Sequence, residues 1–450
     1  FDRAAIVLPN GPEMATAFLS ISSYMSAAPL NPSYKLKEYE FYLQDLMPKI
    51  VIVEKDSQNP AVEAAKNLGI EICEIKKIDN APAGIFNLYD ETSNFELATE
   101  NNEALVLHTS GTTSRPKVVP LTNKNIFSSA INISNSLQLS SQDHCYNIMP
   151  LFHIHGLIAV LSSSINAGAS VYASSGFNAL KFLETADKES ITWYSGVPTM
   201  HQAILMRAKK NPKLAEELNL RFIRSSSASL PPAVFDELKK IFKTTVIEAY
   251  GMTEATHQMT SNPLPPEKQK AGFVGKPAGP EVCIMDSQGN KLNTGEDGEV
   301  CIRGDNVTNG YENNEEANKT AFINGWFRTG DQGHFDNEGY LKISGRLKEI
   351  INRGGEKVSP LEVDNILMEH EAVEQVVTFA VKDKLLGEAI GVAIVLKNGI
   401  DCNEIDIKNY ASKHLADFKI PKYIRFLEEI PKGATGKLQR IGLAEKLGLE

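Results

Sequence analysis

A run of small, hydroxylated and basic residues follows an apolar segment in the first third of the chain. Residues 109–117 read TSGTTSRPK, and the apolar segment, residues 104–107, reads ALVL and predicts a buried strand. Small residues let backbone N–H groups approach a phosphate, and the hydroxyls and Lys117 add donors and charge. The GxxxxGK[ST] pattern is absent from this run, which disfavours a P-loop kinase or GTPase. The run predicts a phosphate-binding loop, with an exposed polar linker as the alternative.

A second set of polar residues follows another apolar segment, residues 246–249. Residues 250–254 read YGMTE, and ligands of open α/β sheets bind beyond the carboxyl ends of the strands. Glu254 is suited to binding Mg²⁺ on a nucleotide, and Thr253 to donating to a phosphate oxygen. The alternative is a helix N-terminus with an acidic first turn.

Charged residues recur further along the chain at two turns. Residues 326–331 read WFRTGD and residues 345–349 read GRLKE. The carboxylate of Asp331 can accept hydrogen bonds from both hydroxyls of a ribose, and Arg346 can fix the same sugar. Charged turn residues in β-hairpins are the alternative interpretation.

A lysine near the end of the chain follows two closely spaced glycines. Residues 431–438 read PKGATGKL, so Lys437 is expected on a mobile loop. A mobile lysine can enter a closed site and neutralise charge between a carboxylate and an α-phosphate. A solvated surface lysine is the alternative.

The elements around these motifs predict two domains. Up to about residue 272, short apolar strands alternate with helical spacing, which indicates parallel α/β layers. Residues 272–345 are rich in glycine and short alternating strands, and predict a small β-barrel or distorted sheet. We therefore predict a large N-terminal domain over residues 1–345 and a small α+β domain over residues 346–450.

Composition excludes several classes of protein. The formal net charge of −10 argues against nucleic acid or an anionic membrane as the main partner. No run of about 18 apolar residues occurs, so no transmembrane helix is expected. The five cysteines form no CxxC pair, which disfavours a disulfide framework or a thiolate zinc site and favours a reducing compartment.

Taken together, TSGTTSRPK, YGMTE, TGD, GRLKE and PKGATGKL resemble, in order and type, the signatures of the adenylate-forming superfamily. This superfamily includes acyl-CoA synthetases, luciferases and peptide-synthetase adenylation domains. The resemblance covers the whole chain and implies a mobile C-terminal domain, with ATP, Mg²⁺ and coenzyme A as cofactors. It implies that Lys437, Thr253 and Glu254 are catalytic, that Glu254 binds the metal, and that Lys348 is the hinge between the domains.

The resemblance also implies which residues bind the nucleotide and coenzyme A. They are Thr109, Ser110, Gly111, Thr112, Thr113, Lys117, Ser227, Ala228, Glu248, Ala249, Tyr250, Gly251, Asp331, Arg346, Lys348, Gly354 and Gly355.

Polar segments surround the expected acid pocket. Residues 224–229 read RSSSAS, residues 152–156 read FHIHG, and residues 254–262 read EATHQMTSN. Hydroxyls and imidazoles suit a second carboxylate, which an apolar pocket would leave desolvated. These segments resemble those of the oxalate–CoA ligase group. That resemblance implies oxalate contacts by three residues, with His153 on the coenzyme A side. The three are His155, Ser226 and His257.

Other interpretations stay open at this point. The acid could be malonate, a medium-chain acid or a 4-coumarate-like acid, and the chain could instead load a carrier protein. A non-catalytic nucleotide sensor is disfavoured by the joint retention of the motif residues. The expected partners are small molecules, with a monomer or homodimer as the assembly. We expect a cytoplasmic location, or a peroxisomal one if a targeting tail is missing, since the sequence starts inside a strand and ends without Ser-Lys-Leu.

Overall fold

The first sheet carries the core of the N-terminal part. The computed structural model describes residues 2–88, 96–109, 116–432 and 438–449. Seven strands of the described chain form this sheet, in the spatial order β5-β4-β3-β1-β2-β6-β7. They are β1 (Arg3–Val7), β2 (Ser26–Pro29), β3 (Ile50–Glu54), β4 (Glu71–Lys77), β5 (Phe86–Asn87), β6 (Glu103–His108) and β7 (Val118–Thr122).

Helices cover both faces of this sheet. They are α1 (Pro12–Ile21), α2 (Leu36–Leu46), α3 (Pro60–Leu68) and α4 (Asn123–Ser136). The sequence of β3 is a continuous apolar run because its alternate residues enter two different cores. Ile50 and Ile52 pack on one side, and Val51 and Val53 on the other. The start of α3 is fixed by an N-cap, because the Asn59 side chain accepts a hydrogen bond from the N–H of Ala61.

The second sheet lies against the first across a shared core. Its seven described strands follow the order β14-β13-β12-β11-β10-β8-β9, and β13 is antiparallel to both β12 and β14. They are β8 (His144–Asn147), β9 (Ser170–Ala173), β10 (Trp193–Gly196), β11 (Phe222–Ser225), β12 (Thr245–Met252), β13 (His257–Ser261) and β14 (Lys276–Pro277).

The helices of this second layer are α5 (Ser163–Asn166), α6 (Phe182–Lys188), α7 (Pro198–Ala208), α8 (Pro212–Glu217) and α9 (Pro232–Phe242). The apolar segment that leads into α5 is a π-helix, His155–Ser162. Gly156 allows this close packing, because a Cβ there would lie 2.4 Å from the carbonyl oxygen of Pro150. The Ser162 hydroxyl donates to the carbonyl of Leu157, five residues back. The wide turns of π-helices are found frequently at functional sites.

The β-rich part is an antiparallel sheet of five described strands. They are β15 (Glu281–Met285), β16 (Gly298–Arg303), β17 (Phe322–Ile323), β18 (Trp326–Phe335) and β19 (Leu341–Arg346). The short helix α10 (Glu315–Ala321) precedes β17. Of the two predicted forms, barrel or distorted sheet, the described strands form the second, with register shifts between β16 and β18 and between β18 and β19.

The C-terminal part has a sheet of its own. Its described strands are β20 (Ile351–Arg353), β21 (Glu356–Val358), β22 (Val373–Asp383), β23 (Gly387–Leu396) and β24 (Tyr423–Phe426). Helices α11 (Pro360–Met368), α12 (Glu404–His414) and α13 (Leu443–Lys446) accompany it. The predicted fold class is confirmed: a large N-terminal part of α/β layers with a β-rich portion, and a smaller α+β part. No helix in the described ranges is long and apolar enough to cross a bilayer.

One arginine joins three segments of the C-terminal part. The Arg440 guanidinium lies 2.8 Å from Asp364 on α11 and 3.2 Å from Glu349 in the turn after β19, and it also donates to the carbonyl of Thr378 on β22. Its side chain is largely buried. Arg440 therefore fixes the turn after β19 to the helix and sheet of the small part.

Two glycines with nearly equal φ allow a test of the packing between β13 and β14, because only one of them lies there. Gly275 (φ 86°) would place a Cβ 1.9 Å from the Ser261 carbonyl carbon, whereas Gly295 (φ 85°) has no atom within 4 Å. We expect Gly275→Ala to cost about 3 kcal/mol or more and Gly295→Ala about 1 kcal/mol. Calorimetric unfolding midpoints of both variants measure this difference, and equal shifts would contradict the tight packing.

Candidate active site

The chain reverses sharply where β12 ends, and this reversal positions the YGMTE residues. A bulge interrupts the pairing of β12 with β13 between Tyr250 and Gly251. Gly251 is required because a Cβ at this position would lie 2.0 Å from the carbonyl oxygen of His257. The next residues, Thr253–Ala255, form one 3₁₀ turn. Thr253 and Glu254 thus lie at the carboxyl end of the second sheet, where ligands of such sheets bind.

Glu254 is a buried carboxylate among basic groups. Its Oε1 accepts a hydrogen bond of 2.8 Å from the Tyr311 hydroxyl, and the Lys117 ammonium lies 4.2 Å from the centre of the Tyr311 ring. Burial raises the pKa of Glu254, and the Tyr311 hydroxyl together with Arg346 and Lys117 opposes that shift. Burial likewise lowers the pKa of Lys117, with Glu254 opposing and Lys348 adding to the effect.

These groups fit a magnesium ion that is held mainly by a nucleotide. Among the described residues, no three His, Cys, Asp or Glu side chains cluster as a metal site. Mg²⁺ keeps several waters and is commonly bound by one or two carboxylates plus substrate phosphates. Glu254 supplies one such carboxylate, and Lys117 supplies a nearby positive charge for the phosphates.

The phosphate loop is fixed at its two ends. The N–H of Thr109 donates to the carbonyl of Lys117 at 2.9 Å, and the N–H of Lys117 lies 3.3 Å from the Thr109 hydroxyl. Four residues predicted to bind phosphate lie outside the described ranges, namely Ser110, Gly111, Thr112 and Thr113. Their roles stay predictions.

Asp331 and Arg346 face each other across neighbouring strands. They are paired in the register of β18 and β19, and the Arg346 Nε lies 3.4 Å from Asp331 Oδ1. The Tyr250 hydroxyl donates to the other carboxylate oxygen of Asp331. The predicted ribose pair therefore lies against the YGMTE residue Tyr250, and Lys348 lies exposed in the turn directly after β19.

Other residues predicted to bind the nucleotide or coenzyme A divide into buried and exposed groups. Glu248 is buried, accepts the N–H of Leu230 at 2.8 Å, and burial raises its pKa to about 8. Ala249 accepts the hydroxyl of Ser226 at 2.8 Å, so the Ser226 hydroxyl is engaged with the backbone and fully buried. Ala228 is exposed.

The acid pocket contains a chain of buried polar groups. The rings of His155 and His257 lie 4.9 Å apart, centre to centre. His155 Nδ1 lies 3.0 Å from the Ser227 hydroxyl, and its Nε2 lies 2.7 Å from the Ser195 hydroxyl. Arg224 contacts this same Ser195 oxygen at 3.1 Å. The structure thus brings His155, His257 and Ser227 together.

Three of these pocket residues were not predicted as site residues, namely Arg224, Ser195 and Gln258. Arg224 had a signal in the sequence, since a charged residue directly after the apolar strand residues Phe222 and Ile223 is unusual. Ser195 had none, because a single serine in a strand is common, and Gln258 lies in the quoted segment of residues 254–262 but was not singled out there. Tyr311 was missed as well, since no motif surrounds it. His153 lies one turn earlier, with its Nδ1 3.4 Å from the N–H of His155.

The remaining predicted residues lie in the C-terminal part. Gly354 and Gly355 form the exposed turn between β20 and β21, and both have positive φ, 63° and 96°. Lys437 lies outside the described ranges, although the residues flanking its loop, Lys432 and Leu438, form a β-bridge. The role of Lys437 stays a prediction.

Comparison with known proteins defines the class. The model of the AMP-binding enzyme family matches residues 1–312, and that of the AMP-binding enzyme C-terminal domain matches residues 362–437. The chain belongs to the AMP-binding enzyme family, and the predicted membership of the adenylate-forming superfamily is confirmed.

Individual relatives and a solved structure show which members of the family this chain resembles. The chain is 47% identical over 448 residues to an oxalate–CoA ligase of Arabidopsis thaliana, covering 98% of this chain and 87% of that protein. It is 43% identical over 473 residues to an oxalate–CoA ligase of Saccharomyces cerevisiae, covering 99% and 86%. The crystal structure of ATP-bound MatB from Rhodopseudomonas palustris superposes with a TM-score of 0.89 at 28% identity, covering 99% and 88%.

The contact between Tyr311 and Glu254 gives a prediction about metal binding and pH. We expect Tyr311→Phe to keep the ring over Lys117 but to remove the hydrogen bond that lowers the pKa of Glu254. The Glu254 pKa then rises, so activity that needs its carboxylate should be lost at a higher pH as the pH falls. The Mg²⁺ concentration for half-maximal pyrophosphate release should rise about 5- to 20-fold.

Tyr340→Phe is the matched control for this variant. The Tyr340 hydroxyl donates to the carbonyl of Lys268 at 2.6 Å, in the β-rich part, and has no link to Glu254. The acidic limb of the pH–activity profile of Tyr340→Phe and its Mg²⁺ dependence should match those of the wild type. An unchanged acidic limb in Tyr311→Phe would contradict the coupling to Glu254.

Proposed function

We propose that this protein is an ATP-dependent acid–CoA ligase whose acid is oxalate. The observation that carries the choice of acid is the row of hydrogen-bonded polar side chains formed by Ser195, His155 and Ser227. An apolar acid would need an apolar pocket, whereas these side chains make the pocket polar. The two relatives named oxalate–CoA ligases support the same choice. The cytoplasmic location and the assembly as monomer or homodimer stay predictions.

The first half-reaction joins the acid to the nucleotide. A carboxylate oxygen attacks the α-phosphorus of ATP, a new O–P bond forms, and pyrophosphate leaves with the electrons of the broken bond. Bound Mg²⁺ offsets the charge of the triphosphate. Glu254 would hold the metal, Thr253 and Lys117 would contact phosphate oxygens, and Asp331 with Arg346 would hold the ribose.

The second half-reaction transfers the acyl group. The thiolate of coenzyme A attacks the acyl carbonyl of the mixed anhydride, a C–S bond forms, and AMP leaves. The Gly354–Gly355 turn is exposed and carries no side chains, so a pantetheine arm could pass close to its backbone. His153 would lie at the entrance on this side. Neither half-reaction requires an enzyme nucleophile, which agrees with five cysteines scattered along the chain.

Pyrophosphate release across a panel of acids tests the proposal. The panel contains oxalate, malonate, a medium-chain acid and 4-coumarate, each with and without coenzyme A. We expect kcat/KM for oxalate to exceed that for every other acid by 10-fold or more, and complete turnover to need coenzyme A. Preference for an apolar acid would overturn the choice of oxalate, and turnover with a carrier protein instead of coenzyme A would favour an adenylation module.

Lys437 should act in the first half-reaction only. We expect Lys437→Ala to slow adenylate formation about 10²- to 10³-fold, since it removes one positive charge from a developing transition state. Thioester formation from supplied oxalyl-adenylate should change less than 3-fold. The two rates are measured separately by pyrophosphate release and by loss of the coenzyme A thiol. Equal losses would contradict this role.

The serine run offers a paired test of which hydroxyl meets the acid. Ser227 has φ 73°, a conformation that glycine adopts freely, so Ser227→Gly removes the hydroxyl while it relieves backbone strain. We expect this variant to raise KM for oxalate about 10-fold without loss of thermal stability. Ser226→Ala should instead lower the unfolding temperature, because it leaves the Ala249 carbonyl without its donor. The reverse pattern would assign the contact to Ser226.

A further inference from the structure

Arg224 is a buried positive charge without an acidic partner. It lies in β11, between β10 and β12, and its side chain is fully buried. Its guanidinium donates to the Ser195 hydroxyl at 3.1 Å and to Gln258 Oε1 at 3.1 Å, and its Nε has no partner. No carboxylate of the described residues forms an ion pair with it. A buried charge of this kind costs several kcal/mol unless something compensates it.

The hydrogen bonds that leave Arg224 have a fixed direction. Arginine only donates, so the Ser195 oxygen accepts from Arg224, and a second Arg224 contact, 3.5 Å to His155 Nε2, also presents a donor. Because the Arg224 donor faces Nε2, we take Nε2 as the acceptor, and the Ser195 hydroxyl hydrogen then goes to Nε2 at 2.7 Å. We assign the His155 proton to Nδ1 on this basis.

The same direction continues to the pocket surface. With its proton on Nδ1, His155 donates to the Ser227 oxygen at 3.0 Å, so the hydroxyl hydrogen of Ser227 is left to donate outward. Along this row of hydrogen bonds, Ser227 is the first residue that is partly exposed, whereas Arg224, Ser195 and His155 are fully buried. Along the path Arg224, Ser195, His155 and Ser227, each hydrogen bond is therefore donated in the direction of the expected acid pocket.

We propose that Arg224 is the specificity-determining positive charge for a dianionic acid, acting on the second carboxylate through Ser195, His155 and Ser227. The inference rests on the proposed function. Arg224 touches no substrate and is a positioning residue. The dianion supplies the counter-charge that the protein omits, so a second carboxylate gains from a field that a neutral group of the same size does not feel.

Burial lowers the pKa of Arg224 to about 9, which still leaves the guanidinium charged at neutral pH. The competing explanation is a structural one. Gln258 passes the Arg224 contact on to Ser136 of α4 at 2.9 Å, so Arg224 could simply tie β11 and β13 to that helix. A structural tie and a charge for the acid differ in what they do to the KM of each substrate.

The test compares oxalate with oxamate, in which an amide replaces one carboxylate. In the full-length protein, Arg224→Met removes the charge and keeps the length of the side chain. We expect KM for oxalate to rise about 10- to 100-fold, while KM for ATP and the inhibition constant of oxamate against oxalate turnover change less than 3-fold. The unfolding temperature should stay equal or rise, because an uncompensated buried charge is lost.

Two further variants separate the relay from the fold. Ser195→Ala interrupts the chain but keeps the charge, and we expect an intermediate rise, about 5-fold, in KM for oxalate alone. Arg221→Met is the matched control three residues away. Arg221 pairs with Asp143 at 2.9 Å, so its loss should lower the unfolding temperature and leave KM for oxalate unchanged.

The outcomes are distinguishable. If the wild-type protein does not use oxalate, the proposed function fails. If the wild type uses oxalate but Arg224→Met weakens oxalate, oxamate and ATP alike, or none of them, the inference is wrong and the function stands. If Arg224→Met does not fold, Ser195→Ala decides, and the absence of a selective rise in KM for oxalate overturns the inference.

Discussion

The close approach of β12 to β13 at Gly251 is the constraint on which both halves of the site depend. With no Cβ at Gly251, the backbone of His257 can pack against it, and the chain turns back within a few residues. One side of this turn directs Tyr250 to Asp331 and Glu254 to Tyr311, where the nucleotide is expected. The other side places His257 beside His155, where the acid is expected. The nucleotide and acid pockets are therefore two faces of one backbone reversal, which keeps the reacting groups adjacent.

The electrostatics of the two pockets follow opposite patterns. In the nucleotide pocket two acidic groups have basic neighbours: Glu254 has Lys117 nearby, and Asp331 faces Arg346. In the acid pocket, the positive charge of Arg224 lacks a carboxylate among the described residues. Paired charges can accept a nucleotide whose own charge is largely offset by a metal. An unpaired cation favours a ligand that brings its own negative charge.

Much of the fold could be predicted from the sequence, for reasons visible in particular elements. The strand residues 50–53 enter two cores and so form an unbroken apolar run, and α3 begins with Asn59 and Pro60 and ends at a left-handed Gly69. The strand Ser26–Pro29 escaped prediction, because four small residues show neither length nor periodicity. The motif residues of the nucleotide pocket were identified because they are close in sequence. Tyr311 and Ser195 were not, because they join the site only through tertiary contacts across 57 and 40 residues. Gln258 follows His257 directly, but its contact with Arg224 spans 34 residues.

Arg440 also defines how short the link between the two parts of the chain is. By binding Glu349 and Asp364 together, it makes Glu349 part of the small C-terminal body. Since β19 ends at Arg346 and the N–H of Leu347 donates to the carbonyl of Gly330 at 2.9 Å, Lys348 is the residue left between the two bodies. One residue has two soft backbone dihedrals. If the small body turns as its family implies, it turns about this single joint, and the orientations open to it are limited by the torsions at Lys348.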